Sequence, residues 1–152
     1  MILIEPVREK REIAKKLGAD LCIDPVNEDV EKALAEHGVD RIATVIECVG
    51  KVATMEMAVR IAGNKSLVML FGLTAPNDQM TVKPFELFKK EITLMASFIN
   101  PYTQKRVLTM IESGNVDVSS IVYGCEPLDR LPGILSSAEL RAKGKYVILP
   151  QK

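Results

Sequence analysis

Ile2-Leu3-Ile4-Glu5, followed by Arg8-Glu9-Lys10-Arg11-Glu12-Ile13-Ala14-Lys15-Lys16-Leu17-Gly18, decides how this chain reads. Three apolar residues closed by a carboxylate describe a short buried strand ending near solvent. The stretch behind it places Ile13, Ala14 and Leu17 at helical spacing, and Gly18 stands where a helix C-cap glycine belongs. The alternation continues. Residues 21–23 form a second short strand, and Asn27 is placed to cap a helix through residue 36, with Val30, Ala33 and Leu34 inward and acids in its first turn. Residues 41–47 read as the strongest strand, apolar on both faces. A helix over 52–62 ends at Gly63-Asn64, and a buried strand over 66–71 is closed by Gly72. After a Pro- and Asn-containing loop at 73–79, Pro84 suits a first helical position ahead of residues 85–89, and residues 92–98 form a further strand. Strand and helix in turn predict an α/β fold, a doubly wound parallel sheet with helical crossovers.

Beyond Asn100-Pro101 the character changes. A helix over 104–112 stops at Ser113-Gly114, residues 121–125 read as a strand, residues 128–140 as a helix with an irregularity at Pro132-Gly133, and residues 146–149 as a last strand. This α+β segment need not join the same sheet, so the chain divides into residues 1–98 and 99–152.

With 152 residues, 47% hydrophobic and 26% charged, the composition is that of an ordinary globular domain. Twenty basic residues balance twenty acidic ones, and no basic run is long enough for a phosphate footprint, which argues against nucleic acid as a partner. All apolar stretches fall short of the roughly 18 residues of a membrane span, and the start lacks the marks of a signal peptide, so the cytoplasm is the default location. Cys22, Cys48 and Cys125 are odd in number and scattered, which speaks for reduced, packed thiols over a disulfide framework or a thiolate zinc cage. His37, the single histidine, sits at a helix end where its charge is favourable. Six methionines, Met55, Met57, Met69, Met80, Met95 and Met110, recur at core-like spacing. Asp24 and Glu47 offer no paired carboxylate geometry.

Glu5 carries the functional reading. In a dinucleotide-binding βαβ unit, the acid ending the second strand binds the adenosine ribose, and a G-x-G-x-x-G turn about 20 residues earlier receives the pyrophosphate. Here no such turn precedes Glu5, so the pattern is that of an incomplete Rossmann-like sheet.

Three strings in register extend this. Residues 5–20, EPVREKREIAKKLGAD, then Val45-Ile46-Glu47-Cys48-Val49-Gly50, then residues 86–98, ELFKKEITLMASF, together with a terminal Lys143-Gly144-Lys145-Tyr146-Val147-Ile148, resemble the zinc-type medium-chain alcohol and polyol dehydrogenases, the group that includes sorbitol and threonine dehydrogenases. The resemblance runs through nearly the whole chain. It implies that residues 1–98 are a truncated NAD(P)-binding region and that residues 99–152 resemble the end of the family's catalytic domain. The domain supplying the Cys, His and carboxylate ligands of the family's zinc is expected to lie before Met1, as are the first Rossmann strand and its glycine loop. No metal site and no catalytic residue is expected within the chain itself.

The site residues follow from that resemblance. Glu5 would accept both ribose hydroxyls and repel the extra phosphate of NADP, its alternative being a solvated carboxylate at a strand end. Lys10 falls where relatives place a base near the same ribose, and helix solvation accounts for it equally well. Cys48, Val49 and Gly50 match a turn lining the cofactor, with Gly50 either allowing close backbone approach or simply ending a strand. Phe71, Gly72 and Leu73 would flank the nicotinamide, because ligands of open α/β sheets sit at the carboxyl ends of strands. Lys145 occupies the place of a basic residue reaching the pyrophosphate. The expectation is therefore the cofactor-binding portion of an NAD-dependent zinc-type dehydrogenase, binding NAD weakly and not turning over alone. The alternative is a noncatalytic nucleotide-binding or dimerisation module. Family strand order 3-2-1-4-5-6 with strand 1 absent implies either direct pairing of the strands at Ile2 and Ile42 or a gap filled by a neighbouring chain or segment. The strand at 94–98 resembles the family's subunit interface, which implies a homodimer.

Overall fold

The computed structural model describes residues 1–99 and 102–151. They fall into two compact units, Met1–Asn100 and Pro101–Lys152. The first unit runs β1 (Ile2–Ile4), α1 (Arg8–Lys16), β2 (Leu21–Ile23), α2 (Val30–Glu36), β3 (Thr44–Glu47), α3 (Val52–Ile61), β4 (Leu67–Leu70), α4 (Pro84–Lys90) and β5 (Thr93–Ala96). Every strand pair in it is parallel. β1 pairs with β2, Ile2 opposite Leu21 and Ile4 opposite Ile23, while β3, β4 and β5 form a separate sheet in that order. This is the α/β class expected, with α1, α3 and α4 serving as the crossovers that the parallel pairs require and α2 leading from one sheet to the other.

β1 and β3 do not pair with one another. Of the two alternatives expected, direct pairing is the one corrected here. Val30, Ala33 and Leu34 of α2 form one apolar cluster with Ile23. Against it pack Ile2, Ile4 and Leu21 from the first sheet, and Ile42, Met57 and Ile61 from the neighbourhood of the second. Nondirectional apolar burial thus joins the first sheet to α2 and α3 without a ladder between the sheets. A second cluster, Ala58, Ala62 and Val68, seats α3 on β4.

β3 is also shorter and more open than the sequence suggests. The carbonyl of Ile42 accepts from the backbone of Gly63 at 3.1 Å, so the stretch before Thr44 turns to meet that loop instead of extending the ladder. Ile46 is 62% exposed, so the strand read as apolar on both faces is not buried on both. The cap of α2 is Asp29, whose side chain accepts from Lys32 N at 2.8 Å. Asn27 does not cap it, because its amide donates to Asp24 at 3.0 Å. α1 ends before Gly18, whose φ of 96° is the left-handed conformation glycine tolerates.

The second unit contains α5 (Gln104–Glu112), β6 (Val122–Pro127), α6 (Leu131–Ser136), α7 (Ala138–Lys143) and β7 (Lys145–Leu149), with β6 and β7 parallel. The helix expected over 128–140 breaks at Ser137, not at Pro132-Gly133. Pro132 lies in the first turn of α6, where a missing N–H costs nothing, and Ser137 caps α7 by accepting from Leu140 N at 3.2 Å. Among the described residues no helix is long and apolar enough to cross a membrane.

Candidate cofactor crevice at the strand ends

Four strand ends carry the chemistry of the first unit. At β1, Glu5 donates its backbone N–H to Ile23 O at 3.1 Å, and its carboxylate accepts from Val7 N at 2.9 Å. The backbone just past it is held from below by Arg11, whose guanidinium donates to Glu5 O at 2.6 Å, Pro6 O at 2.7 Å and Asp24 Oδ2 at 2.9 Å. The Arg11 and Asp24 side chains are only 16% and 13% exposed. Asp24, just past β2, also accepts from Val26 N at 3.0 Å. The Asn27 amide first, then the Val26 N–H and the Arg11 charge, hold its carboxyl below the ordinary value against the opposing effect of burial. Lys10 is exposed on α1.

β3 ends on Glu47, 5% exposed. Its Oε1 accepts from Val49 N at 2.8 Å, Gly50 N at 2.9 Å and Thr54 Oγ1 at 2.7 Å. Its backbone carbonyl accepts from Phe71 N at 2.9 Å and Gly72 N at 2.8 Å at the end of β4. The two loops thereby meet backbone to backbone. Gly50 has φ of 77°, and a Cβ there would lie 2.4 Å from Leu73 O; one on Gly72 would lie 2.2 Å from Gly50 N. Only glycine fits either place. Cys48 is exposed, and its thiol is pushed above the ordinary value by burial and by the neighbouring Glu47 charge, so it stays protonated at neutral pH.

Beside Gly72 opens a cavity of about 410 Å³ lined by Leu70, Leu73, Met80, Ala96 and Phe98 among others. Its walls are largely apolar, and Leu73 is 87% exposed at the rim. Of the expected site residues, the structure brings Cys48, Val49 and Gly50 together with Phe71, Gly72 and Leu73. Glu5 ends a strand of the other sheet, and Lys145 opens β7 in the second unit, exposed. Met80 was read in the sequence only as a packing residue, and Ala96 and Phe98 were not read as site residues, although the strand-end rule that selected residues 71–73 applies equally to the end of β5. The expectation of packed thiols fails for Cys48 and Cys125, both exposed. His37 closes α2, its Nδ1 2.8 Å from Ala33 O.

Residues 1–113 match the family model described as zinc-binding dehydrogenase, nearly three quarters of the chain. The chain belongs to the zinc-binding dehydrogenase family. It is 24% identical over 97% of its length to the S-(hydroxymethyl)glutathione dehydrogenase of Haemophilus influenzae, and spans 40% of that relative. Among solved structures, a Sinorhizobium meliloti protein described as a zinc-binding dehydrogenase and bound to NADP superposes with a TM-score of 0.91 at 26% identity, over 98% of this chain and 44% of that one. An alcohol dehydrogenase of E. coli CFT073 complexed with NADH superposes with a TM-score of 0.84 at 19% identity, over 97% and 43%, and shows the shared fold. The family name implies zinc. Among the described residues of this family member, no three His, Cys, Asp or Glu side chains converge to hold a metal ion, and Cys22, Cys48, Cys125 and His37 stand on different elements. A zinc site needs three protein ligands at least. This donor set does not fit one.

Proposed function

We propose that this chain is the cofactor-binding portion of an NAD-dependent, zinc-type alcohol or polyol dehydrogenase, and that by itself it binds dinucleotide without oxidising an alcohol. The observation that carries the reading is the meeting of loops 48–50 and 71–73 beside an apolar cavity, at the carboxyl ends of a parallel sheet. The cavity suits a flat nicotinamide ring, bordered by Phe71, Gly72 and Leu73 on one side and by Cys48, Val49 and Gly50 behind. Glu5 takes the adenosine ribose hydroxyls, with Lys10 near the same sugar. Zinc in such enzymes polarises the substrate alcohol, and the described residues supply no ligand set for it. Three free cysteines suit a reducing compartment, so the cytoplasm belongs to the same proposal.

Calorimetric titration of the chain with NAD and NADP, followed by an alcohol-oxidation assay with and without added zinc, tests this. NAD should bind more weakly than about 1 μM and ahead of NADP, and Glu5→Gln should narrow that preference, since the carboxylate opposes a second negative charge at the ribose. Submicromolar NAD affinity, or zinc-dependent turnover, refutes it.

The second reading, a dimerisation module, draws on the edge strand β5, along which all four residues are exposed. Phe85 and Phe88 of the preceding helix are exposed too, Phe88 at 80%. An apolar edge of this kind favours pairing with its two-fold mate. Sedimentation should give a homodimer at micromolar concentration, and a monomer there removes this surface from the proposal.

A further inference from the structure

Glu47 is a buried carboxylate that the cofactor contacts proposed above do not use, and no cation pairs with it among the described residues. Asp24, the other buried acid, has Arg11 at 2.9 Å. Glu47 is stabilised instead by donors from its own turn: the N–H groups of Val49 and Gly50 and the hydroxyl of Thr54, in the first turn of α3. Three donors on one carboxylate oxygen satisfy a buried charge only while all three stay in place. The carboxylate therefore fixes the path of residues 48–50 over the end of β3.

The main chain of the same residue does the corresponding work on the other loop. Glu47 O takes both Phe71 N and Gly72 N, so the turn out of β4 is pinned to the residue that pins the turn out of β3. The contact is close enough that a Cβ on Gly72 would lie 2.6 Å from Glu47 Oε2. We infer that Glu47 is a positioning residue for the nicotinamide end of the cofactor: through its carboxylate it holds loop 48–50, and through its carbonyl loop 71–73, in the one mutual arrangement that leaves the cavity beside Gly72 open. The inference rests on the proposed binding of a dinucleotide and adds how its nicotinamide half-site is shaped. Glu47 touches no cofactor atom itself.

The role separates from general stability because the adenosine end is built on the other sheet, by Glu5, Arg11 and Asp24. Glu47→Gln keeps size and one acceptor oxygen but turns an amide NH2 toward the Gly50 N–H, donor against donor. Loop 48–50 should lift, and NAD affinity should fall by about tenfold or more, the scale for a lost charge-assisted hydrogen bond, while ADP-ribose affinity stays within about twofold. Thr54→Val, which removes one donor and preserves shape, should show the same selectivity at about threefold, and serves if Glu47→Gln fails to fold. Amide exchange read by NMR gives an arm independent of any ligand: Val49 and Gly50 N–H should exchange faster in both variants, with Val7 and Val26 unchanged. Equal losses for NAD and ADP-ribose, or unchanged NAD affinity in folded variants, overturn the positioning role. Failure of the unsubstituted chain to bind either ligand overturns the proposed function and this role with it, and is seen before any variant is made.

Discussion

Gly72→Ala places a methyl carbon where the structure has no room. The added Cβ would stand 2.2 Å from Gly50 N, 2.6 Å from Glu47 Oε2 and 2.7 Å from Gly50 Cα. Carbon contacts are ordinarily about 3.5–4.0 Å, so the two loops must part by roughly 1.3 Å. Two of the three atoms are main chain and cannot swing aside. Overpacking of this kind costs about 1–3 kcal/mol. Parting the loops also stretches the Gly72 N–H bond to Glu47 O, now 2.8 Å, adding about 1 kcal/mol. The expected loss, about 2–4 kcal/mol, lowers a urea midpoint by about 1–2 M at an ordinary slope. Circular dichroism follows the transition. Tyrosine emission provides an internal control, because Tyr102, Tyr123 and Tyr146 all stand in the second unit. Gly133→Ala in α6, with nothing within 4 Å and no positive φ, should instead raise the tyrosine-detected stability by about 0.5–1 kcal/mol through helix propensity. A Gly72→Ala chain that unfolds within about 0.5 kcal/mol of the original shows that the loops are not held in contact and refutes the reasoning.

Two further outcomes follow from the carboxylates. Asp24 has its folded carboxyl value depressed below 3.8, so its contribution to stability is present above that value and is lost as pH falls through the lower, folded one. An acid titration of unfolding midpoints should therefore decline below about pH 4, and Asp24→Asn, which also leaves Arg11 without its ion pair, should be less stable at neutral pH and show a shallower acid decline; an unchanged acid limb counts against it. The Cys48 thiol is raised above 9.0 by burial and by Glu47, so its alkylation by iodoacetamide should accelerate only in more alkaline buffer than a free cysteine requires. Glu47→Gln should move that profile to lower pH, and a profile that stays put would show that the carboxylate charge does not reach the thiol.

Helix and strand order was legible because each element advertises a period: Ile13 and Ala14 on α1 with Leu17 at its cap, and Val30, Ala33 and Leu34 on α2, the last three all buried. The family was legible from three strings in register. Boundaries were less so, since they depend on which neighbour captures a polar group. Asn27 and Asp29 are both good caps by type, and only the fold reveals that Asp24 takes the first and frees the second for α2. The openness of β3 was invisible for a related reason: an apolar run reports what a strand can bury, not whether a neighbouring strand is there to bury it. Glu47 is an intermediate case. Acceptance from residues two and three ahead is a local pattern that Glu47-Cys48-Val49-Gly50 could have suggested, but the meeting of Gly50 with Gly72 and Leu73 joins positions more than 20 residues apart and has no signature in either loop alone.

The strand ends also explain why weak dinucleotide binding is the consistent expectation. Pyrophosphate is held in folds of this class by free N–H groups at a helix N-terminus. Along the carboxyl ends of β1, β2 and β3, such donors are already engaged by the chain's own acids: Val7 N by Glu5, Val26 N by Asp24, and Val49 N with Gly50 N by Glu47. A phosphate arriving at any of these turns would compete with a carboxylate already hydrogen-bonded, and at Asp24 and Glu47 also buried, and would meet its negative charge at close range. Exchanging one anion for another gains little, whereas a turn with uncommitted donors would gain the full charge-assisted bond. Under the proposed function, what these strand ends would offer a dinucleotide is therefore the carboxylate of Glu5 for ribose hydroxyls and an apolar cavity for the ring. Both are interactions of the sugar and base ends, and neither neutralises the charge between them.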